Sequence, residues 1–297
     1  MKKLLLLYLL IFTSGLFAQN ADSSGVKPIQ KEALSTRKKL IIATLFAQQA
    51  ASMYIEYKWW WQRNYHPFAI NNDGGYNNYS LGIDKVGHFY TSYMYFNTLN
   101  ELFKWGGFSN KTRLILSTAL PLLWATSIEI GDGFSSYEFN PDDLTANSLG
   151  IIYALIQDQV PYMQNFKFKY SYFPSRFYQD RHYKGWALTT DYNGHIYWLS
   201  MNVNGLLPQT AKPYWPKYVN LIIGYGVNNY TEIANRLPGY EMQREFCVGL
   251  DINLNAFPVK NQTIKTLRNM LDYFHYPAPG FKKTGAEPWK FIPLLLN

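Results

Sequence analysis

Near Pro161 the spacing of apolar residues changes from that of helices to that of strands, and this change limits the chain to an α+β architecture. Before it lie four helical segments, near 38–62, 84–105, 110–132 and 141–158, separated by short polar stretches. Gly106 and Gly107 stop the second, Ser109 or Asn110 caps the third, and Asn140 with Pro141 opens the fourth. Pro121 is expected to kink the third. The spacing predicts a bundle of about four helices over 38–160.

From 161 to 297 an aromatic, basic and aperiodic run, "NFKFKYSYFPSRFYQDRHYKG", leads into stretches of period two. Trp186, Leu188 and Tyr192 precede Asn193-Gly194, and Tyr197, Leu199, Met201 and Val203 follow it, which predicts a hairpin with His195 exposed beside its turn. Two further strands are expected over 219–227 and 246–254, then a helix near 262–274 and a proline-rich tail. The expectation is a small antiparallel sheet of about four strands. Packing on the bundle or lying on a membrane surface suits such a sheet better than a lipid-facing barrel, since four strands cannot close one except by oligomerising.

The first residues, "MKKLLLLYLLIFTSGLFAQ", have a basic start, an apolar core and small residues at Gly15 and Ala18, the layout of a signal peptide over 1–18 followed by a flexible lead over 19–37. Export to the cell envelope is therefore expected, to the periplasm or the outer membrane. Of 28 basic residues, removal of Lys2 and Lys3 leaves 26 against 20 acidic ones, a net +6. The charges are scattered and the compartment excludes nucleic acid as a partner. Cys247 is the single cysteine, so no intramolecular disulfide is expected, and none stands near Ala18 to carry a lipid. Aromatic residues make up 18% of the chain, an excess that points to a membrane surface or envelope lipid as partner, with a protein partner as the other option. Trp59, Trp60 and Trp61, between Lys58 and Arg63, fit either an interfacial anchor or the packed end of a core helix.

Three polar groups interrupt the apolar helices. Asp84 and His88 in "DKVGHF" are one helical turn apart with Lys85 beside them; Glu129 and Asp132 end the third helix; Asp143, Asn147 and Gly150 share a stripe of the fourth. Capping accounts for Asp84, Asp142 or Asp143 taken singly. Glu129 inside an apolar run needs a partner, and Lys85 is the expected one. "DKVGHF", a helical glutamate and "DDLTANSLG" resemble the YfiM-like family of uncharacterised periplasmic lipoproteins and, more distantly, the VanZ-like family of membrane proteins, over about residues 82–156. The resemblance implies a helical envelope protein, no established reaction, and Asp84, Lys85, His88, Glu129, Asp143, Asn147 and Gly150 as the positions carried over. The absent lipid-bearing cysteine and the β-rich half depart from that pattern.

Two functions fit these residues. In one, the cluster has a structural or ligand-binding role in an envelope protein, transport and sensing through His88 included. In the other, a hydrolase of an envelope lipid or glycan uses His88, Glu129 and Asp143 as acid, base or metal ligands, with Lys85 stabilising negative charge. One imidazole with carboxylates suits Zn, Mn or Fe better than Mg.

Overall fold

The computed structural model describes residues 35–62, 64–180, 190–230 and 241–296. The expected signal peptide, most of the lead, Arg63 and the strand residues 186–189 lie outside them. Helix α1 spans Thr36–Glu56, α2 Ile83–Gly106, α3 Asn110–Gly133 and α4 Pro141–Gln159. Their starts follow the capping residues: Ser35 Oγ accepts from the Lys38 amide, Ser109 Oγ from Thr112, and Asn140 Oδ1 from Asp142 with Pro141 in the first helical position. Helix α3 runs on through Pro121 without a break in its assignment. It is long and apolar enough to cross a membrane, yet it buries Arg113, Ser117 and Glu129 among the other helices, as a member of a bundle does.

Helix α2 is the axis of the molecule. Leu99 and Phe103 pack with Ile41 and Leu45 of α1 and with Leu116 and Leu120 of α3. On another face Tyr90, Tyr93 and Phe96 meet Ile151 and Ala154 of α4 and the aromatic rings of the sheet. Each such fully buried ring contributes about 1.5–3 kcal/mol relative to exposure. A Cβ at Gly150 would lie 2.1 Å from the Phe89 carbonyl oxygen, so only glycine there lets α4 cross α2 this closely.

The sheet is an antiparallel meander in the order β1 to β6: Phe166–Tyr172, His195–Met201, Val219–Asn228, Gln243–Ile252, Ala278–Thr284 and Lys290–Leu295. Among the described residues six strands are present rather than about four. The first hides in an aperiodic run because lysines alternate with its aromatic residues; Phe168 and Tyr170 face the helices while Lys169 is buried on the opposite side. Asn193-Gly194 does not close a hairpin. It forms a single helical turn leading into β2, whose partners are β1 and β3. His195 is buried rather than exposed, with its ring 5.5 Å from that of Tyr170 and 5.3 Å from that of Tyr172. The tail supplies β5 and β6, and Pro293 is tolerated in β6 because that strand is an edge.

The sheet curls. Ser171 Oγ of β1 donates to the Leu296 carbonyl just past β6, and Tyr170 bridges to Phe274. The concave face encloses Ile196, Trp198, Ile222, Cys247 and Leu295. Burial pushes the Cys247 thiol up to about 12. On the convex face helices cover β1 and β2, while Leu221, Ile223, Val248, Leu250 and Phe281 farther along stay exposed. Helix α5, Gln262–Leu271, packs against α2.

Candidate functional site

The site lies where the N-terminal end of α2 meets the end of α3 and the start of α4. Gly82, at φ +80°, caps α2, so Asp84 sits inside the first turn rather than capping it. One turn on, a Cβ at Gly87 would lie 2.9 Å from the Tyr197 hydroxyl, so the small residue lets β2 approach this end of the helix.

Lys85 is the saturated member. Its Nζ lies 2.8 Å from Asp73 Oδ2, 3.1 Å from Asp84 Oδ2 and 2.6 Å from Asp143 Oδ1, three carboxylates from the loop before α2, from α2 itself and from α4. Lys85 donates hydrogen bonds to Asp73 and Asp84, and its contact with Asp143 is a close ion pair. Burial draws the Lys85 pKa down, but Asp84 and Asp143 outweigh it and hold it above the ordinary lysine value. The expected Lys85–Glu129 pair is not what forms: Lys85 turns to the three aspartates, and Glu129 faces His88. Reach explains this, since Asp73 and Asp143 converge on Lys85 from both sides.

His88 is loosely held. Its Nε2 is 3.7 Å from Asp84 Oδ1 and 3.6 Å from Asp143 Oδ1, its Nδ1 is 3.9 Å from Glu129 Oε1, and 27% of its side chain is exposed. These separations exceed a hydrogen bond. Among the described residues its one close partner is the Asn147 amide nitrogen, 3.1 Å from Nδ1, with Asn147 Oδ1 accepting from the Ser92 hydroxyl at 2.7 Å. In that arrangement Nδ1 accepts and the ring proton sits on Nε2, aimed between the two aspartates. A second proton on Nδ1 requires the Asn147 amide to turn over, which couples His88 charge to the Ser92 contact. Burial pushes the imidazole pKa down, and Asp84, Asp143 and Glu129 together carry it above the ordinary histidine value.

The carboxylates differ. Burial raises Asp84, but His88, Lys85 and the Tyr192 hydroxyl, which donates to Oδ1 at 2.8 Å, bring it below the usual range. Burial keeps Asp143 above it. Glu129 is 1% exposed, and burial lifts it to about 8 against the pull of His88. Its Oε2 accepts from the Asn140 amide at 3.3 Å, and Oε1 is buried without a hydrogen-bond partner among the described residues. One turn along α3, burial lifts Asp132 to about 7 even though Trp61 Nε1 donates to it at 2.7 Å. Trp61 thus packs inward, its ring where a Cβ on Gly131 would be.

Asp84, His88 and Asp143 each offer one ligand atom, all within 4.8 Å of one another, a spacing that fits a metal ion. A cation there competes with the Lys85 ammonium for Asp143. Of the residues expected from sequence, Asp84, Lys85, His88, Glu129, Asp143 and Asn147 meet here, and Gly150 sets the helix crossing that allows it. Asp73, Ser92 and Tyr192 were not foreseen. Asp73 stands in the turn-like "NNDGG", Ser92 in a generic helix face, and Tyr192 over a hundred positions from its partner; none carried a signal.

Residues 73–159 match the model of a family described as predicted periplasmic lipoproteins (DUF2279). The match begins at Asp73 and ends just past α4, so it takes in every charged member of the cluster. It supports kinship with an uncharacterised family of the periplasm and fits an exported protein of the cell envelope. No curated protein and no solved structure matches the chain.

Proposed function

We propose that the chain is an exported envelope protein that rests on a membrane surface and binds a divalent cation, Zn or Mn, at Asp84, His88 and Asp143, with Glu129 as a buried neighbour of the imidazole. The observation that carries the reading is the contrast inside the cluster. Lys85 has three partners within 3.1 Å, whereas the His88 nitrogens stand 3.6–3.9 Å from three carboxylates and part of the ring is open. The Lys85 half ties loop, α2 and α4 together; the His88 half is left able to take a ligand. Contact with a bilayer is supported by the bare stretch of convex sheet, where Ile223, Val248 and Phe281 pair in line across β3, β4 and β5 and are 45%, 44% and 49% exposed. A nearer kinship with the YfiM-like lipoproteins and a remoter one with VanZ-like membrane proteins rest on the short motifs alone.

Elemental analysis and Zn or Mn titration of purified protein test the reading. A stoichiometric metal in the wild type, lost in His88→Ala with the fold retained, is the expected result. Failure of the wild type to bind either metal would reduce the cluster to a structural network.

A second reading, a hydrolase of envelope lipid or glycan, is favoured by Glu129. A carboxyl held near pKa 8 with an unpartnered oxygen facing an imidazole is suited to donate or take a proton near neutral pH. His88 would serve as base or ligand, and Asp143 as its partner. Product release from envelope lipid or glycan fragments that disappears in Glu129→Gln, without loss of metal, would support this reading over simple binding.

A further inference from the structure

A second site lies at the other end of α2. A cavity of about 540 Å³ opens between the C-terminal half of α2, the end of α4, the ends of β1 to β3 and the turn after β4. Asn100 in its wall is 15 residues along the helix from Lys85, roughly 22 Å, so it is separate from the His88 cluster. Its volume falls in the range of about 300–1,000 Å³ usual for small-molecule sites, but its lining does not follow their apolar pattern. Of 22 lining residues, 11 are asparagine or glutamine and Tyr273 is the single aromatic one.

The charges in the wall balance. Lys104, Lys167 and Lys217 stand against Glu101, Asp158 and Asp272. Lys104 is 3.1 Å from Glu101, and Lys167 is paired with Asp272. A free anion finds no surplus of positive charge there, and an apolar ligand finds no wall. The amides themselves are oriented. Asn204 donates to the Lys212 and Trp215 carbonyls, Asn253 to the Lys217 carbonyl, and Asn255 to Asp272 at 3.0 Å. Their nitrogens are used by the protein, which leaves carbonyl oxygens for a guest. Asn220 makes the point most strongly: 6% exposed, it donates to Ser200 Oγ at 3.0 Å, and its Oδ1 is buried in the cavity wall with no hydrogen-bond partner. The oxygens of Asn100, Gln157, Asn165, Asn202 and Asn269 already accept within the protein, so the acceptors on offer are those of Asn204, Asn220, Asn253 and Asn255, a neutral set that calls for a neutral guest carrying hydroxyl or amide protons.

We infer that this cavity binds a saccharide, one or two sugar rings held by hydroxyl or N-acetyl donors to the asparagine oxygens. Asn220 backs this wall, and its hydrogen bond to Ser200 continues to Asp251 at 2.7 Å inside the sheet.

The test is a titration of the purified protein with maltose and with N,N′-diacetylchitobiose, with inorganic phosphate as control, followed by calorimetry and by the side-chain amide signals of asparagine. Saturable binding of either disaccharide in the millimolar range or tighter is expected, with the Asn220 and Asn255 amides shifted. Gln164→Trp, an exposed wall residue made large enough to fill the opening, should weaken binding at least tenfold with an unchanged melting temperature. Asn220→Leu should do the same, and if it fails to fold the Gln164→Trp result stands alone. The proposal is overturned if neither sugar saturates, if phosphate displaces the sugar, or if Gln164→Trp binds as the wild type does.

Discussion

Two buried polar centres in this molecule are built from the same parts and end in opposite states. Inside the curled sheet Lys169 is fully buried, with Nζ 2.8 Å from Asp251 Oδ2, 3.0 Å from Asp272 Oδ1 and 3.1 Å from the Ile252 carbonyl. His275 reaches Asp251 Oδ1 through Nδ1 at 3.0 Å and the Leu295 carbonyl through Nε2 at 3.1 Å, and Ser200 donates to Asp251 Oδ2. Asp272 also accepts from Lys167, the Leu254 amide and Asn255. Every oxygen and nitrogen named has its partner. Between the helices a lysine, a histidine and carboxylates meet again, but the histidine is short of its acids and a glutamate oxygen is left over. A buried network that is complete holds structure; one that is incomplete has capacity for something else.

Breaking the complete centre should have the largest effect. Lys169→Met strands Asp251 and half of Asp272 in the sheet interior and is expected to cost about 3–5 kcal/mol in denaturant unfolding, enough to threaten the fold. A loss below about 1 kcal/mol would mean that water reaches these acids and the contrast is false.

The next effect is on pH dependence. Glu129, near 8 in the folded protein against 4.5 ordinarily, keeps a proton that the unfolded chain has released. Stability therefore falls as pH rises through that window, by up to about 1.4 kcal/mol per pH unit. His88, raised in the fold, acts in the same direction: its contribution is complete below the ordinary histidine pKa and lost as pH rises through the folded value. In the other centre burial raises Asp251, but His275 and Lys169 outweigh it and leave it below its usual value, so its contribution is lost only as pH falls through that depressed value. The loose centre thus limits the alkaline side and the tight one the acid side. Urea midpoints from about pH 5 to about pH 9 should flatten in Glu129→Gln; an unchanged slope would remove Glu129 from this account.

Smaller still, Gly150→Ala pushes its new methyl into the Phe89 carbonyl and should cost about 1–3 kcal/mol. Because it parts α2 from α4, it should shift the His88 ring signals in NMR spectra and leave those of His275 in place. Ser200→Ala should cost about 1–2 kcal/mol by removing one donor to Asp251 and the acceptor of Asn220. An equal loss in Ser92→Ala would show the two centres to be alike.

The two centres were not equally legible. The helical one could be read because Asp84 and His88 fall one turn apart, Glu129 interrupts an apolar run, and Asp143 and Asn147 share a stripe. Periodicity brings such residues to one side of a helix, and short connections bring the helices together. It could not say which acid Lys85 would choose, because that depends on Asp73 in a loop without period. The sheet centre left almost no trace. Lys169 looks like an outward residue of an aromatic run, and it meets Asp251 of β4 and Asp272 at the end of α5 only when segments some 80 to 100 positions away close over it. Likewise β5 and β6 hide behind prolines, Pro279 at the irregularity between Ala278 and Gly280 and Pro293 in the edge strand.

The seam between β1 and the residues after β6 bears on how the chain reaches its final form. Leu295 is 1% exposed against Trp198 and Cys247, and the Ser171–Leu296 bond joins positions 125 apart. The four helices of the first half contact one another within about a hundred residues, as Trp61–Asp132 and Asn100–Asp158 do, and can associate early, whereas Tyr90 waits for Tyr273, 183 positions on. The sheet interior, its lysine included, stays wet until the last strand is in place. For that interval the second half presents strand edges and a bare apolar surface, which makes delivery of the last strands, rather than formation of the helices, the step most open to aggregation.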